Sequence, residues 1–357
     1  MAKKDMKANK PKTPKARKNS NPGVVSANDK ISRYLQAKKV VPARLAGTDK
    51  FLDIVSWNIR WFDHKDPKRV KLITDVLDAL NADVFILNEI SGKGVLDGVI
   101  DRLADRGAGY YSVVQGETGA EQRVSMLWDR DWVRAKVDTA ELFGGEKLTV
   151  PAEFGTKPQS VFPRLPLWGY FEAKAANPGD EGFTFELVGV HLKAQGPAPK
   201  GYTGPKKDRW GIPQRTKAAE RLSRWLTSAQ DHNDTDIIVM GDWNAVPGEE
   251  EWRAIRDLEA QGEVAFQGIN DESEISHMVR LNKFGPAGSR LDLHLVTDEA
   301  QANSVPDNAA VVIKWTILEK DKLSGMDVAG RNALSKTVRD QLSDHLPVVS
   351  RFYLHEV

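Results

Sequence analysis

FLDIVSWNIRWFDHKDPKRVKLITDVLDALNADVFILNEI (51–90) decides the fold. Its opening, FLDIVSWNI (51–59), is apolar and β-branched and ends on polar residues, the pattern of a buried strand. Asp66-Pro67 starts a helix, with Asp as the cap and Pro in the first turn. Val70, Ile73, Leu77 and Leu80 then recur at spacings of three, four and three, one apolar stripe. Asn81-Ala82 breaks the stripe, and DVFILNEI (83–90) is a second buried strand. Strand, helix and strand at this spacing form the unit that a parallel strand pair requires.

The same pattern returns downstream. FTFELVGVHLK (183–193) is a buried strand, a Gly/Pro-rich loop covers 194–213, and a helix over 214–229 puts Ala218, Leu222 and Trp225/Leu226 on one face. DIIVMGDWN (236–244) closes the second unit. RVSMLWD (123–129), PLWGYFEAK (166–174), RLDLHLVTD (290–298) and LPVVSRFYL (346–354) supply further strands, with a mixed segment at 305–335. Two strand–helix–strand halves plus extra strands predict an α/β fold: two packed mixed β-sheets flanked by helices. One domain over 51–357 is expected, because no linker-like stretch separates the halves.

Composition narrows the chemistry. The chain of 357 residues has no Cys, which excludes disulfides, thiolate zinc sites, iron–sulfur clusters and cysteine nucleophiles. No apolar run is long enough to span a membrane. The formal charge of +1 hides two unlike parts: residues 1–50 hold 14 Lys/Arg against three Asp, a net +11, which leaves −10 for 51–357. Residues 1–50 read as a basic, disordered arm without the apolar core of a secretory signal. Such an arm suits a tether to nucleic acid or another anionic surface, and equally a solubilising tail. A soluble, intracellular monomer is expected.

Each buried strand ends in a polar residue: Asn58, Glu89, His191, and Asp242 with Asn244. One such residue is commonly a cap or turn former. Five at equivalent places mark a site, since ligands in open α/β sheets bind beyond the carboxyl ends of strands. Arg290-Leu291-Asp292 and Ser343-Asp344-His345 add carboxylates and an imidazole, and Asp292 can accept the His345 N–H and set its tautomer. Oxygen donors such as Glu89, Asp344 and Asn58 suit Mg²⁺ or Mn²⁺, whereas no zinc-type His spacing occurs.

The ordered set SWNI (56–59), NEI (88–90), GVHLK (189–193), GDWN (241–244), RLD (290–292) and SDHLPV (343–348) resembles the endonuclease/exonuclease/phosphatase superfamily, whose fold is the deoxyribonuclease I-like four-layer sandwich. FPRLP (162–166) resembles the substrate-contacting Arg segment of the deoxyribonuclease I branch and nominates Arg164. The resemblance implies Mg²⁺-dependent hydrolysis of phosphodiester bonds by a nuclease, an endonuclease acting on DNA or RNA. In that reading Glu89 holds the metal, Asn58 supports it or touches phosphate, and Asp344 completes the shell. Asp242 and Asn244 position the attacking water or bind a second cation, and Asn244 also meets substrate. His345, oriented by Asp292, is general base or phosphate clamp, and His191 serves a phosphate oxygen or the leaving alkoxide. As the runner-up the resemblance admits a phosphatase or lipid phosphodiesterase of the inositol-phosphatase or sphingomyelinase kind, and, ranked below both, a non-catalytic binding module. His191 separates the chain from the exonuclease III-like branch. The branch's usual carboxylate partner for that histidine falls near Glu121-Gln122.

Trp57, Trp128, Trp168 and Trp225 are expected in the core. The loop KGYTGPKKDRWG (200–211) alternates aromatic and basic residues as nucleic-acid contacts do. His64, His232 and His355 are expected at the surface, and His277 and His294 as structural residues.

Overall fold

The computed structural model describes residues 40–150, 157–175, 177, 179–196, 210–268 and 274–355. Its opening segment folds as patterned: β1 (Leu52–Phe62), helix α1 (Pro67–Leu80) and β2 (Val84–Ile90), with β2 parallel to β1. Asp66 caps α1 by accepting from the Lys68 and Arg69 amides, and Asn81 closes it in the left-handed region. Next come α2 (Asp97–Asp105), β3 (Tyr111–Gln115), β4 (Arg123–Asp129), the short strands β5 (Val133–Ala135), β6 (Ala140–Glu141), β7 (Thr149–Val150) and β8 (Gln159–Ser160), and β9 (Leu167–Ala173). The second unit is β10 (Thr184–His191), α3 (Ile212–Leu226) and β11 (Ile237–Asp242), again with parallel strands. The chain ends with α4 (Arg253–Glu259), β12 (Val264–Phe266), the hairpin β13 (His277–Asn282) and β14 (Gly285–Ser289), β15 (Asp292–Thr297), α5 (Asp298–Ala302), β16 (Val311–Val312), α6 (Lys320–Ser324), α7 (Val328–Gln341) and β17 (Val348–Phe352).

One sheet has the order β16-β17-β1-β2-β4-β3 and the other β12-β15-β11-β10-β9-β5, with β6 beside β9. Alternation along each strand feeds different layers. Leu52 and Ile54 meet Leu187, Ile238 and Met240 between the sheets. Val55, Trp57 and Ile59 pack under α1, α2 and α7, while Val188, Val190 and Val239 pack under α3 and α4. The result is the four-layer α/β sandwich expected.

Several details differ from expectation. Residues 40–50, read as the end of the arm, lie on the body: Val40, Val41 and Leu45 are buried, and the Thr316 amide donates to the Val40 carbonyl at 2.9 Å. A few isolated apolar residues carry no periodicity, so the sequence pattern missed them. His232 is half-buried rather than exposed; burial disfavours its charge, but the Glu186 carboxylate 3.2 Å from Nδ1 raises its pKa. Trp168 is half-buried and donates to Glu186. The arm's residues 1–39 and the loop residues 197–209, with Lys200, Tyr202, Lys206, Lys207 and Arg209, lie outside the described residues. Among the described residues no helix is long and apolar enough to cross a membrane.

Candidate active site

The carboxyl ends of the parallel strands and the amino ends of their antiparallel neighbours share one rim. Strand register pairs His191 with Asp242, Asp242 with Asp292, and Asn58 with Asn88. Directly paired residues hold their Cβ atoms about 5 Å apart, so these side chains converge. Asn58 Nδ2 crosses the seam between sheets, donating to Asp242 Oδ2 at 2.9 Å and to Glu89 Oε1 at 3.2 Å. Asn88 supports the same seam by accepting from the Asp242 amide at 3.1 Å.

Glu89 reaches this cluster through a bulge. Alternation would send it with Phe85 and Leu87 toward the helices. Instead three residues of β1 oppose one of β2 after Asn58, and Arg60, Trp61 and Glu89 take φ of 47°, 50° and 63°. The Glu89 carboxylate thereby turns to the rim, where Oε2 accepts from the Trp61 amide at 3.1 Å. Asn244 is also left-handed, at φ 57°; its amide donates to Asp242 Oδ1 at 3.0 Å and its Nδ2 to the Leu192 carbonyl at 3.1 Å. Left-handed non-glycine residues cost free energy, so their concentration here is the kind of strain that functional sites retain.

His345 and Asp292 form a buried pair, Nδ1 to Oδ2 at 2.7 Å, leaving Nε2 3.9 Å from Asp242 Oδ2. Burial opposes a charge on His345, but Asp292 and Asp242 outweigh it and push its pKa up to about 10. Burial raises Asp242 to about 7, with Asp292 and Glu89 adding to the rise. His191 Nε2 lies 3.6 Å from Asp242 Oδ2 and 3.9 Å from Glu89 Oε1. Burial, helped by the Arg164 and His345 charges, lowers the His191 pKa well below its usual value, so this imidazole is neutral.

Arg164 does not line the rim as a free cation. It is buried, and its guanidinium donates to the His191 carbonyl at 3.0 Å, the Leu192 carbonyl at 2.7 Å and Gln122 Oε1 at 2.9 Å. Nε and one Nη hold the end of β10 and the other Nη holds Gln122, which places Arg164 directly behind His191. Among the described residues no carboxylate partners His191 Nδ1: Glu121 is exposed, and the Gln122 side chain serves Arg164. Asp344 pairs with Arg60, its Oδ2 lying 3.3 Å from Arg60 Nε.

The donor set fits a hard cation. The Asp242 and Asp292 carboxylates offer oxygens close together beside His345, which stays protonated and is no ligand itself, and Asp292 Oδ1 is buried without a hydrogen-bond partner among the described residues. Glu89 adds a third carboxylate to a cluster with one charged imidazole.

Sequence reasoning missed three contributors. The His277 ring lies against His345, tilted by 43° with ring centres 4.7 Å apart. Ser276 Oγ accepts from the Leu291 and Asp292 amides, both at 2.9 Å. Trp61 stands half exposed at the rim, 52%. Only Trp61 carried a cue, as a large aromatic directly after a strand-end polar residue. His294 is structural as expected, held between Ser56 and Ser350.

A sandwich with carboxylates, amides and two imidazoles converging where both sheets end defines a class of hydrolytic α/β protein. The model of the endonuclease/exonuclease/phosphatase family matches residues 55–345, and the chain belongs to that family, whose members hydrolyse phosphoester bonds. No curated protein sequence matches the chain. The chain is similar to several solved structures. A family protein from Bacteroides thetaiotaomicron is 14% identical with a TM-score of 0.47, covering 85% of this chain and 98% of its own. TDP2 from D. rerio, complexed with single strand DNA product, is 16% identical with a TM-score of 0.49 over 85% and 99%. A mannosyl-6-phosphatase from Bacteroides thetaiotaomicron is 15% identical with a TM-score of 0.45 over 84% and 98%.

Proposed function

We propose that this phosphoester hydrolase is a Mg²⁺- or Mn²⁺-dependent phosphodiesterase that cuts DNA or RNA as an endonuclease. The observation that carries the reading is the buried His345–Asp292 pair facing Asp242, with His191 alongside. Hydrolysis of a phosphodiester needs an oriented water, compensation of growing negative charge, and a proton for the leaving oxygen. Asp242, its Oδ1 fixed by the Asn244 amide, orients the water. His345, held charged by Asp292, meets a non-bridging phosphate oxygen. His191, neutral and held by Arg164 through its carbonyl, donates a hydrogen bond to the leaving oxygen, and the proton that Asp242 accepts from the attacking water passes through solvent to complete the leaving group. Asn244 retains its Oδ1 as an acceptor for water.

Glu89 would hold the cation with Asn58 in support, and Asp344 would join by releasing Arg60. When bound, the cation offsets charge on the phosphate. The +11 arm supports nucleic acid as the substrate. The −10 body supports a second reading, a phosphatase or lipid phosphodiesterase, because an acidic surface repels a polyanion.

Plasmid and oligonucleotide cleavage with and without Mg²⁺ tests the first reading, beside inositol phosphates and choline lipids. Wild type should cut nucleic acid, and His345→Ala and Asp242→Ala should not. Turnover confined to the small phosphates or lipids transfers the site to the second reading.

A further inference from the structure

His277 stands beside the catalytic groups without a task among them. It opens the hairpin of β13 and β14 and bridges to the turn that carries His345. The Met278 amide donates to the Asp344 carbonyl and the Leu346 amide to the Ser276 carbonyl, both at 2.7 Å. Those bonds flank His277 and His345 and make them a non-hydrogen-bonded antiparallel pair. Such a pair brings its Cα atoms to about 4.5 Å and its side chains onto one face. Backbone register therefore sets the His277 ring against the His345 ring, with 4.7 Å between centres.

The fold does not need an imidazole there. His345 is already fixed: its carbonyl accepts from Trp57 Nε1 at 3.0 Å, its amide donates to Ser343 Oγ at 3.0 Å, and Asp292 holds Nδ1. An apolar ring would fill the same space. His232 and His294 each spend both ring nitrogens inside the protein, on Glu186 and the Trp225 carbonyl and on Ser56 and Ser350. His277 is half-buried with both ring nitrogens open to solvent, and among the described residues neither has a hydrogen-bond partner.

Burial, and then the charge on His345, disfavours a proton on this second ring, so it is neutral and keeps one N–H and one lone pair. A phosphate oxygen only accepts, and His345 already meets it. A hydroxyl donates and accepts, which matches the neutral ring. In RNA the 2′-hydroxyl stands on the carbon next to the one that bears the 3′-phosphate ester, and DNA has no such group. A ring set directly beside the one at the phosphate is placed to meet it.

We propose that His277 is a substrate-binding residue that hydrogen-bonds the ribose 2′-hydroxyl next to the scissile phosphate, so that the site selects RNA over DNA. The inference rests on the nuclease reading for its substrate and adds which nucleic acid is chosen.

The test uses full-length protein. Cleavage with Mg²⁺ is compared at one position of a DNA strand that carries either a deoxynucleotide or a ribonucleotide there. Affinity in EDTA, by fluorescence anisotropy, is compared between all-RNA and all-DNA strands of the same sequence. Wild type should favour the ribonucleotide about 3- to 10-fold in kcat/KM. His277→Phe keeps a ring against His345 and has no nitrogen, so it should bring this ratio to one and narrow the RNA-to-DNA affinity ratio by a similar factor. His277→Ala should do the same, and His277→Gln, whose amide still donates and accepts, should restore part of the preference. Any loss from disturbing His345 falls on both strands and cancels in the ratio. A ribonucleotide preference that survives in His277→Phe, or no preference in wild type, overturns the proposal and leaves the nuclease reading in place. Strands bound with a ratio that depends on His277 but never cut would uphold the contact and overturn the catalytic reading. A protein that neither binds nor cuts either strand overturns both.

Discussion

His345 owes its chemistry to Asp292. A buried histidine alone would be neutral, but two carboxylates hold its proton to a pKa of about 10. Its folded pKa stands above the unfolded value near 6.5, so its contribution to stability is complete below about pH 6.5 and fades as pH rises through about 10. Asp292→Asn should return the ring toward neutrality, lower hydrolysis about 10²- to 10⁴-fold, and flatten the stability profile over that window. Imidazole NMR titration and denaturation at several pH values check this, and an unaltered His345 titration would refute it. Arg164 calls for a different readout. Because its nitrogens serve the His191 and Leu192 carbonyls, Arg164→Lys should lower kcat about 10²-fold with KM nearly unchanged. A rise in KM at constant kcat would put the side chain on the substrate after all. Residue type and order made both residues visible in the sequence. The direction each side chain takes was not visible, because Arg164 and Asp344 find partners, Gln122 and Arg60, far away in the chain.

At the scale of elements, the strand pattern already contained the site. On β1 the residues facing the other sheet are Leu52, Ile54, Ser56 and Asn58, a run from apolar to polar. The rim is therefore the end of a graded interface, and period-two alternation made it readable. Glu89 breaks that alternation by its bulge, which depends on the backbone of two strands together and leaves no periodic trace. The hairpin and α7 were missed because short strands and a mixed helix interrupt any clear period. The glycine before Asp242 belongs to this level. Gly241 has φ of 138°, and a Cβ there would lie 2.1 Å from the Val190 carbonyl oxygen. Gly241→Ala should cost about 2–3 kcal/mol. Urea denaturation should show a lower midpoint at constant slope, and full stability in this variant would mean the strand end tolerates another path.

Over the whole molecule, the site exists only while two sheets stay in register. Glu89 and Asn58 come from one sheet, and Asp242 and Asp292 from the other. A buried polar layer below them fixes the seam: Ser350 Oγ donates to Gln267 and so accepts from His294 Nδ1, which leaves Nε2 to accept from Ser56. Burial, with the Arg290 charge adding to it, lowers the His294 pKa to about 3, so this link stays uncharged. A cation held across the seam recognises the paired sheets and has no comparable site on the unfolded chain. Mg²⁺ or Mn²⁺ at 100 times its dissociation constant should therefore stabilise the protein by about 2.7 kcal/mol. Thermal denaturation should show the shift in wild type and lose it in Glu89→Ala and in Asp242→Ala, one substitution on each sheet. A shift surviving in Glu89→Ala alone would move the cation to the carboxylates of Asp242 and Asp292. A shift surviving in both would remove the metal from the seam.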